Sequence, residues 1–131
     1  MAQVFHYLDA NGTDVIKEWA SDVPKRQLVK LQAKIDMLRL NGSGLPPQLL
    51  ADTGQAGIKK IKVQGNPKLR PILCMLEEKD GEEQIVLLVG AYEINWQYVP
   101  ADALVEAAIR RDEVLTNDDR KTKHVRLIRR R

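Results

Sequence analysis

The sequence predicts an α+β fold: an antiparallel meander sheet with an N-terminal helical hairpin and a C-terminal helix packed on one of its faces. Three observations carry this. Residues 14–41 hold two helical segments in succession, residues 57–94 hold three strand-like segments in succession, and residues 100–115 hold a last helical one. Like elements come in runs instead of alternating, which separates α+β from α/β architecture. The chain has 131 residues, the size of one domain with a core that needs no disulfide or metal.

"QVFHYL", residues 3–8, reads as an opening strand, and "DANG" as the turn after it. Thr13 is placed to cap a short helix from Asp14 to about Ala20, with Asp14 and Glu18 near its positive end. Asp22 and Pro24 then start a longer helix. Leu28, Leu31, Ile35 and Leu38 recur at spacings of three and four and form one apolar stripe. "NGSG" at 41–44 ends it, with Gly42 as the positive-φ stop and Pro46 and Pro47 blocking resumption.

Three strands follow, over 57–63, 69–78 and 83–94. Asp80-Gly81 is a strong hairpin turn signal between the last two. Residues 85–89 are apolar on both faces, so that strand belongs in the middle of the sheet. Pro71 has no N–H to donate and predicts a bulge or an unpaired position. Pro100 opens the last helix, for which Leu104, Val105, Ala108, Ile109 and Leu115 form the expected buried stripe.

Charge is distributed unevenly. The net charge is +3, but residues 120–131 carry seven of the 21 basic side chains and no acid, leaving 1–119 with fourteen basic and 18 acidic groups, a net of −4. The expected organisation is a domain over 1–116 and a basic C-terminal tail over 117–131. Such a tail suits nucleic acid or an acidic partner, or is a solvated end. Cys74 is the single cysteine and fits a reducing compartment. No apolar run reaches the roughly 18 residues of a membrane span, and the N-terminus has no signal-like pattern. The expectation is a cytoplasmic protein that meets no membrane.

"GIKKIKVQGNPKLRP", residues 57–71, holds the candidate chemistry. Strand alternation points Lys60 and Lys62 the same way, and a turn would return Arg70 alongside them. Like charges so placed repel, which suits an anionic ligand; lysines on an open sheet face are also ordinary solvated surface. Tyr92, Trp96 and Tyr98 add aromatic surface. Cations beside rings suit single-stranded RNA, because phosphates meet the cations and bases stack on the rings. The same residues suit cleavage without metal or cofactor, in which a 2′-OH attacks its own phosphate. Lysine can move the proton, and arginine can hold the phosphorane. His6 and His124 lie near opposite ends of the chain, with no evident meeting point.

At these residues the chain resembles the RelE/ParE superfamily of bacterial toxins, and within it the RelE/HigB-type mRNA interferases and their phage-derived Gp49-like relatives. "KIKV" at 60–63 is similar to the family's catalytic-strand segment, "KLRPIL" to its next strand, "LVGAYEINWQYV" to the segment carrying a catalytic tyrosine, and "PADALVEAAIRR" to the following helix. The resemblance implies a RelE-like fold and a type II toxin, a metal-independent endoribonuclease cutting mRNA on the ribosome and neutralised by an antitoxin protein. It implies catalytic roles for Lys60, Lys62, Arg70 and Tyr98. RNA contacts would come from Tyr92, Trp96, Arg110, Arg111, Arg126 and Arg129, although Arg110 and Arg111 also suit a helix C-terminus. Tyr92 stands where the family has a second arginine, and Ile94 and Asn95 where Gp49-like members have a lysine pair. Those departures keep a second expectation open: a relative on the same fold that binds RNA, the ribosome or a host protein without cutting.

Overall fold

The chain has two opposed apolar faces to bury along its most hydrophobic strand, and the architecture follows from that. The computed structural model describes residues 1–127. In order they form β1 (Ala2–Tyr7), α1 (Val15–Ala20), α2 (Lys25–Asn41), β2 (Leu50–Asp52), β3 (Ile58–Ile61), β4 (Lys68–Leu69), β5 (Ile72–Lys79), β6 (Glu82–Val89), β7 (Tyr92–Ile94), β8 (Gln97–Val99), α3 (Ala103–Thr116) and β9 (Lys121–Lys123). Six strands make the main sheet in the order β2-β3-β5-β6-β1-β9, and β4-β7-β8 make a small second sheet. Neighbours are antiparallel except β1 and β6, which run parallel from Ala2↔Glu83 to His6↔Leu87.

The fold is mixed α and β with a mostly antiparallel sheet, as the runs of like elements predict, but its helices cover both faces. Ile85 and Leu87 of β6 join Ile16, Leu31, Ile35 and Leu38 in one cluster. Val86 and Leu88, pointing the other way, join Ala103, Ala107 and Val114 in a second. The face expected to be open is therefore covered at Val86 and Leu88 by α3. An apolar strand with both faces to bury needs a cover on each side, and α3 supplies the second.

Local signals held in part. Asp80 (φ 55°) and Gly81 (φ 78°) turn the β5–β6 hairpin. Gly42 (φ 56°) stops α2, its N–H donating to the Leu38 carbonyl. The cap of α1 is Asp14, whose carboxylate accepts from the Lys17 N–H; Thr13 is not the cap. Pro71 splits the expected second strand into β4 and β5. The third ends at Val89, where the Trp19 ring lies against the backbone of Gly90.

The buried stripe of α3 is also different. Ala103, Ala107 and Val114 face the core, while Val105, Ile109 and Leu115 are at least half exposed. Alanines let the helix lie close to the sheet. On the same side, Arg110 Nη1 donates to the Leu88 carbonyl and Arg111 Nη1 to that of Ala56, each at 2.8 Å. Part of the basic C-terminal segment is built into the domain, since β9 pairs with β1 and the Leu8 N–H donates to the Arg120 carbonyl.

A Cβ at Gly90 would overlap the Trp19 ring. Gly90→Ala is expected to lower stability by about 1–3 kcal/mol, the usual cost of overpacking, read as a drop in urea midpoint at unchanged slope.

Candidate functional site

Three of the four residues proposed for catalysis fall in one network at the junction of the two sheets. Lys60 lies on β3 opposite Ile72. Its side chain shares the α3 face with Ile58 by alternation, and its Nζ donates to the Tyr98 hydroxyl oxygen at 3.0 Å, 5.2 Å from that ring's centre. Tyr98 stands directly across from Glu93 in the β7–β8 ladder. Glu93 in turn takes Arg70: the guanidinium Nε donates to Glu93 Oε1 at 3.2 Å.

Arg70 is only 2% exposed. Its Nη1 also donates to the carbonyls of Leu69 (2.8 Å) and Val63 (3.3 Å), and its backbone N–H to that of Ala91 (2.8 Å). A buried guanidinium needs such partners. Arg70 is therefore held as a structural tie between β4 and β7, with those two nitrogens already engaged.

The β7–β8 hairpin turns through Asn95 (φ 53°) and Trp96 (φ 64°). Two positive φ values are the mark of a type I′ turn, where Asn-Gly is the favoured pair. A tryptophan in the second position carries local strain, and here it places an indole in water, 89% exposed. Lys68 Nζ lies 5.2 Å from the centre of that ring and 3.9 Å from Glu93 Oε2. Lys68, Glu93, Asn95 and Trp96, with Gly65 and Pro67, line a cleft of about 380 Å³. The junction thus carries two cation-on-ring contacts, Lys60 with Tyr98 and Lys68 with Trp96.

The other nominated residues lie elsewhere. Lys62 does not share a site with Lys60. β3 ends at Ile61, so strict alternation stops; the Lys62 N–H is tied to the Leu49 carbonyl, and Lys62 lines a cleft against α2. Tyr92 is half-buried against Trp19, ring centres 5.6 Å apart; burial, helped by the charge of Asp22, pushes its phenol above the usual range. Arg110 pairs with Glu106 and lies over the Tyr7 ring, Arg111 is 3.7 Å from Asp112, and Arg126 is 3.7 Å from Asp36. Arg129 lies outside the described residues. Cys74 is fully buried, and burial pushes its thiol up to about 12, which makes it inert packing. Among the described residues no cluster of His, Cys, Asp and Glu is arranged to hold a metal.

The two histidines do meet. β9 brings His124 to β1, its N–H on the Val4 carbonyl, and His6 Nε2 lies 2.7 Å from His124 Nδ1. His6 Nδ1 is 2.9 Å from Asp14 Oδ2, and His124 Nε2 is 3.1 Å from Gln32 Nε2. Gln32 Nε2 also donates to Asp36 Oδ1 (3.1 Å), and its Oε1 accepts from the Leu127 N–H (3.0 Å).

These contacts admit one consistent assignment of protons. An ionised Asp14 only accepts, so His6 carries its proton on Nδ1 and accepts at Nε2. His124 then donates from Nδ1 and accepts from the Gln32 amide at Nε2. Burial, the largest cause, and neighbouring positive charge hold His124 down to about 4. Burial alone would raise Asp14, but hydrogen bonds from His6 and the Lys17 N–H outweigh it and hold the carboxyl below its usual range.

Comparison with protein-family models, curated proteins and solved structures gives no match for this chain. Glu93 and Lys68 are the site residues that sequence reasoning missed. The available signal was a lone glutamate on a short strand facing the segment that carries an arginine.

The histidine chain predicts a pH dependence. An unfolded His124 binds its proton near 6.5 and the folded one near 4, so between those values the unfolded chain holds more protons and stability falls as pH falls. Asp14, lowered in the fold, acts in the same direction further down. Urea midpoints should drop between about pH 6.5 and about pH 4, and His124→Gln should flatten that slope. An unchanged slope in the variant would refute the assignment.

Proposed function

We propose that this protein binds single-stranded RNA across the junction of β3 with the β7–β8 hairpin, as an RNA-directed protein of the RelE-like toxin class. The observation that carries the reading is the pair of cation-on-ring contacts, Lys60 with Tyr98 and Lys68 with Trp96. Phosphates are met by the ammonium groups and bases stack on the rings, a chemistry that tolerates any sequence. The exposure of Trp96 favours it too: a strained turn residue with most of its indole in water has no packing role to explain it. The resemblance to the RelE/ParE superfamily points to mRNA on the ribosome as the RNA and to an antitoxin protein as the controlling partner.

Binding without cleavage is the reading the geometry favours. Arg70 would have to give up Glu93 to hold a phosphorane, Lys62 lies apart from Lys60, and both histidines are spent on each other. One observation favours cleavage: Lys60 Nζ and the Tyr98 hydroxyl are in direct hydrogen bond. In that reading the 2′-oxygen attacks its phosphorus, the bond to the 5′-oxygen breaks, and a cyclic phosphate and a 5′-hydroxyl remain. The Lys60–Tyr98 pair would take the first proton and return one to the leaving oxygen.

Anisotropy of a labelled oligouridylate tests the binding. Trp96→Ala should weaken it about tenfold or more, from the roughly 1–3 kcal/mol of a stacked base. Lys60→Ala and Lys68→Ala should each reduce the salt slope by about 0.7. Affinity unchanged in all three variants would remove this surface from RNA binding. On induction in bacteria, mRNA 5′ ends should match those of a Tyr98→Phe variant; new ends within reading frames, lost in that variant, would make the protein a nuclease.

A further inference from the structure

A second cationic surface lies away from the junction, between α2, the segment before β2 and the segment after β3. Lys30, Lys34 and Lys62 rim a cleft of about 300 Å³ whose apolar lining includes Met37, Leu49 and Val63. Among the described residues none of the three lysines has an ion-pair or side-chain hydrogen-bond partner. Among the described residues no acidic one lines the cleft. Arg26 extends the row: 26, 30 and 34 are spaced four apart on α2, and like charges so spaced repel.

The chemistry of this cleft differs from that of the RNA surface. Among the described residues no aromatic one lines it, so these offer bases nothing to stack on, and RNA recognised here would keep only its phosphate contacts. What it offers is an aliphatic pocket with Met37 37% exposed, inside a ring of uncompensated positive charge. Charge complementarity calls for carboxylates, and the pocket for an aliphatic side chain between them.

We propose that this cleft is the docking site for an acidic protein segment that places one aliphatic side chain over Met37, Leu49 and Val63 and its flanking carboxylates on Lys30, Lys34 and Lys62. The rim steers and orients the segment, and burial of the aliphatic group holds it. This inference does not rest on the RNA reading. It uses different residues, and either can fail alone.

The test follows the Met37 methyl resonance in the full chain during titration with a short glutamate-rich peptide carrying a central leucine. The same peptide with a central glycine is the control. The leucine peptide should shift Met37 saturably and bind about tenfold tighter than the glycine peptide, the worth of burying a leucine side chain. Lys30→Gln/Lys34→Gln/Lys62→Gln should abolish the shift while leaving the spectrum of the sheet unchanged. Equal binding of the two peptides would overturn the proposal, because the cleft would then be only a patch of charge. So would an absent shift. A shift of Met37 by oligouridylate at the same or lower concentration would overturn it in favour of nucleic acid.

Discussion

A buried guanidinium has to be answered, and how this chain answers Arg70 decides where the proposed RNA surface sits. With 2% of the residue exposed, the charge is held by Glu93 and by two carbonyls of its own strand region. Glu93 belongs to β7, so the pair ties β7 to the segment that follows β4. Breaking such a pair from one side leaves an uncompensated buried charge and costs roughly 3–5 kcal/mol. β7 carries β8 with it, and β8 carries Tyr98 to Lys60. The turn between them holds Trp96 in water beside Lys68. A residue that reads as a phosphate clamp is, in the fold, the fastener that positions the residues around it.

The second constraint is the coverage of the main sheet. α1 and α2 pack on one face and α3 on the other. The proposed binding surfaces lie at the sheet junction with its hairpin tip and at the cleft beside α2. Those places differ in chemistry. The junction combines ammonium groups with rings, whereas the α2 cleft combines them with aliphatic side chains.

Much of the fold is legible in local signals. The apolar stripe of α2 is buried at Leu28, Leu31, Ile35 and Leu38, and the doubly apolar strand sits centrally as β6. What escapes is set by tertiary partners. The facing of α3 depends on alanines packing close and on arginines reaching carbonyls, and a count of large apolar residues selects the opposite side. The cover on the second face follows from that helix. His6 and His124 meet because β9 adds to β1, a three-residue strand of Lys-Thr-Lys with no apolar pattern to announce it. Within the site, strand alternation paired Lys60 with Lys62, but β3 stops one residue short of Lys62. Lys60 and Tyr98 were identifiable by residue type; their contact was not, because it depends on a hairpin whose strands are three residues long.

The most direct test of the account is a map of chemical-shift changes across the whole chain on addition of oligouridylate at low salt. The account predicts that the largest changes fall on Lys60, Lys68, Trp96 and Tyr98, with Arg70 and Glu93 shifting little and Lys30, Lys34 and Met37 unmoved. Changes centred on α2, or none anywhere, would contradict it.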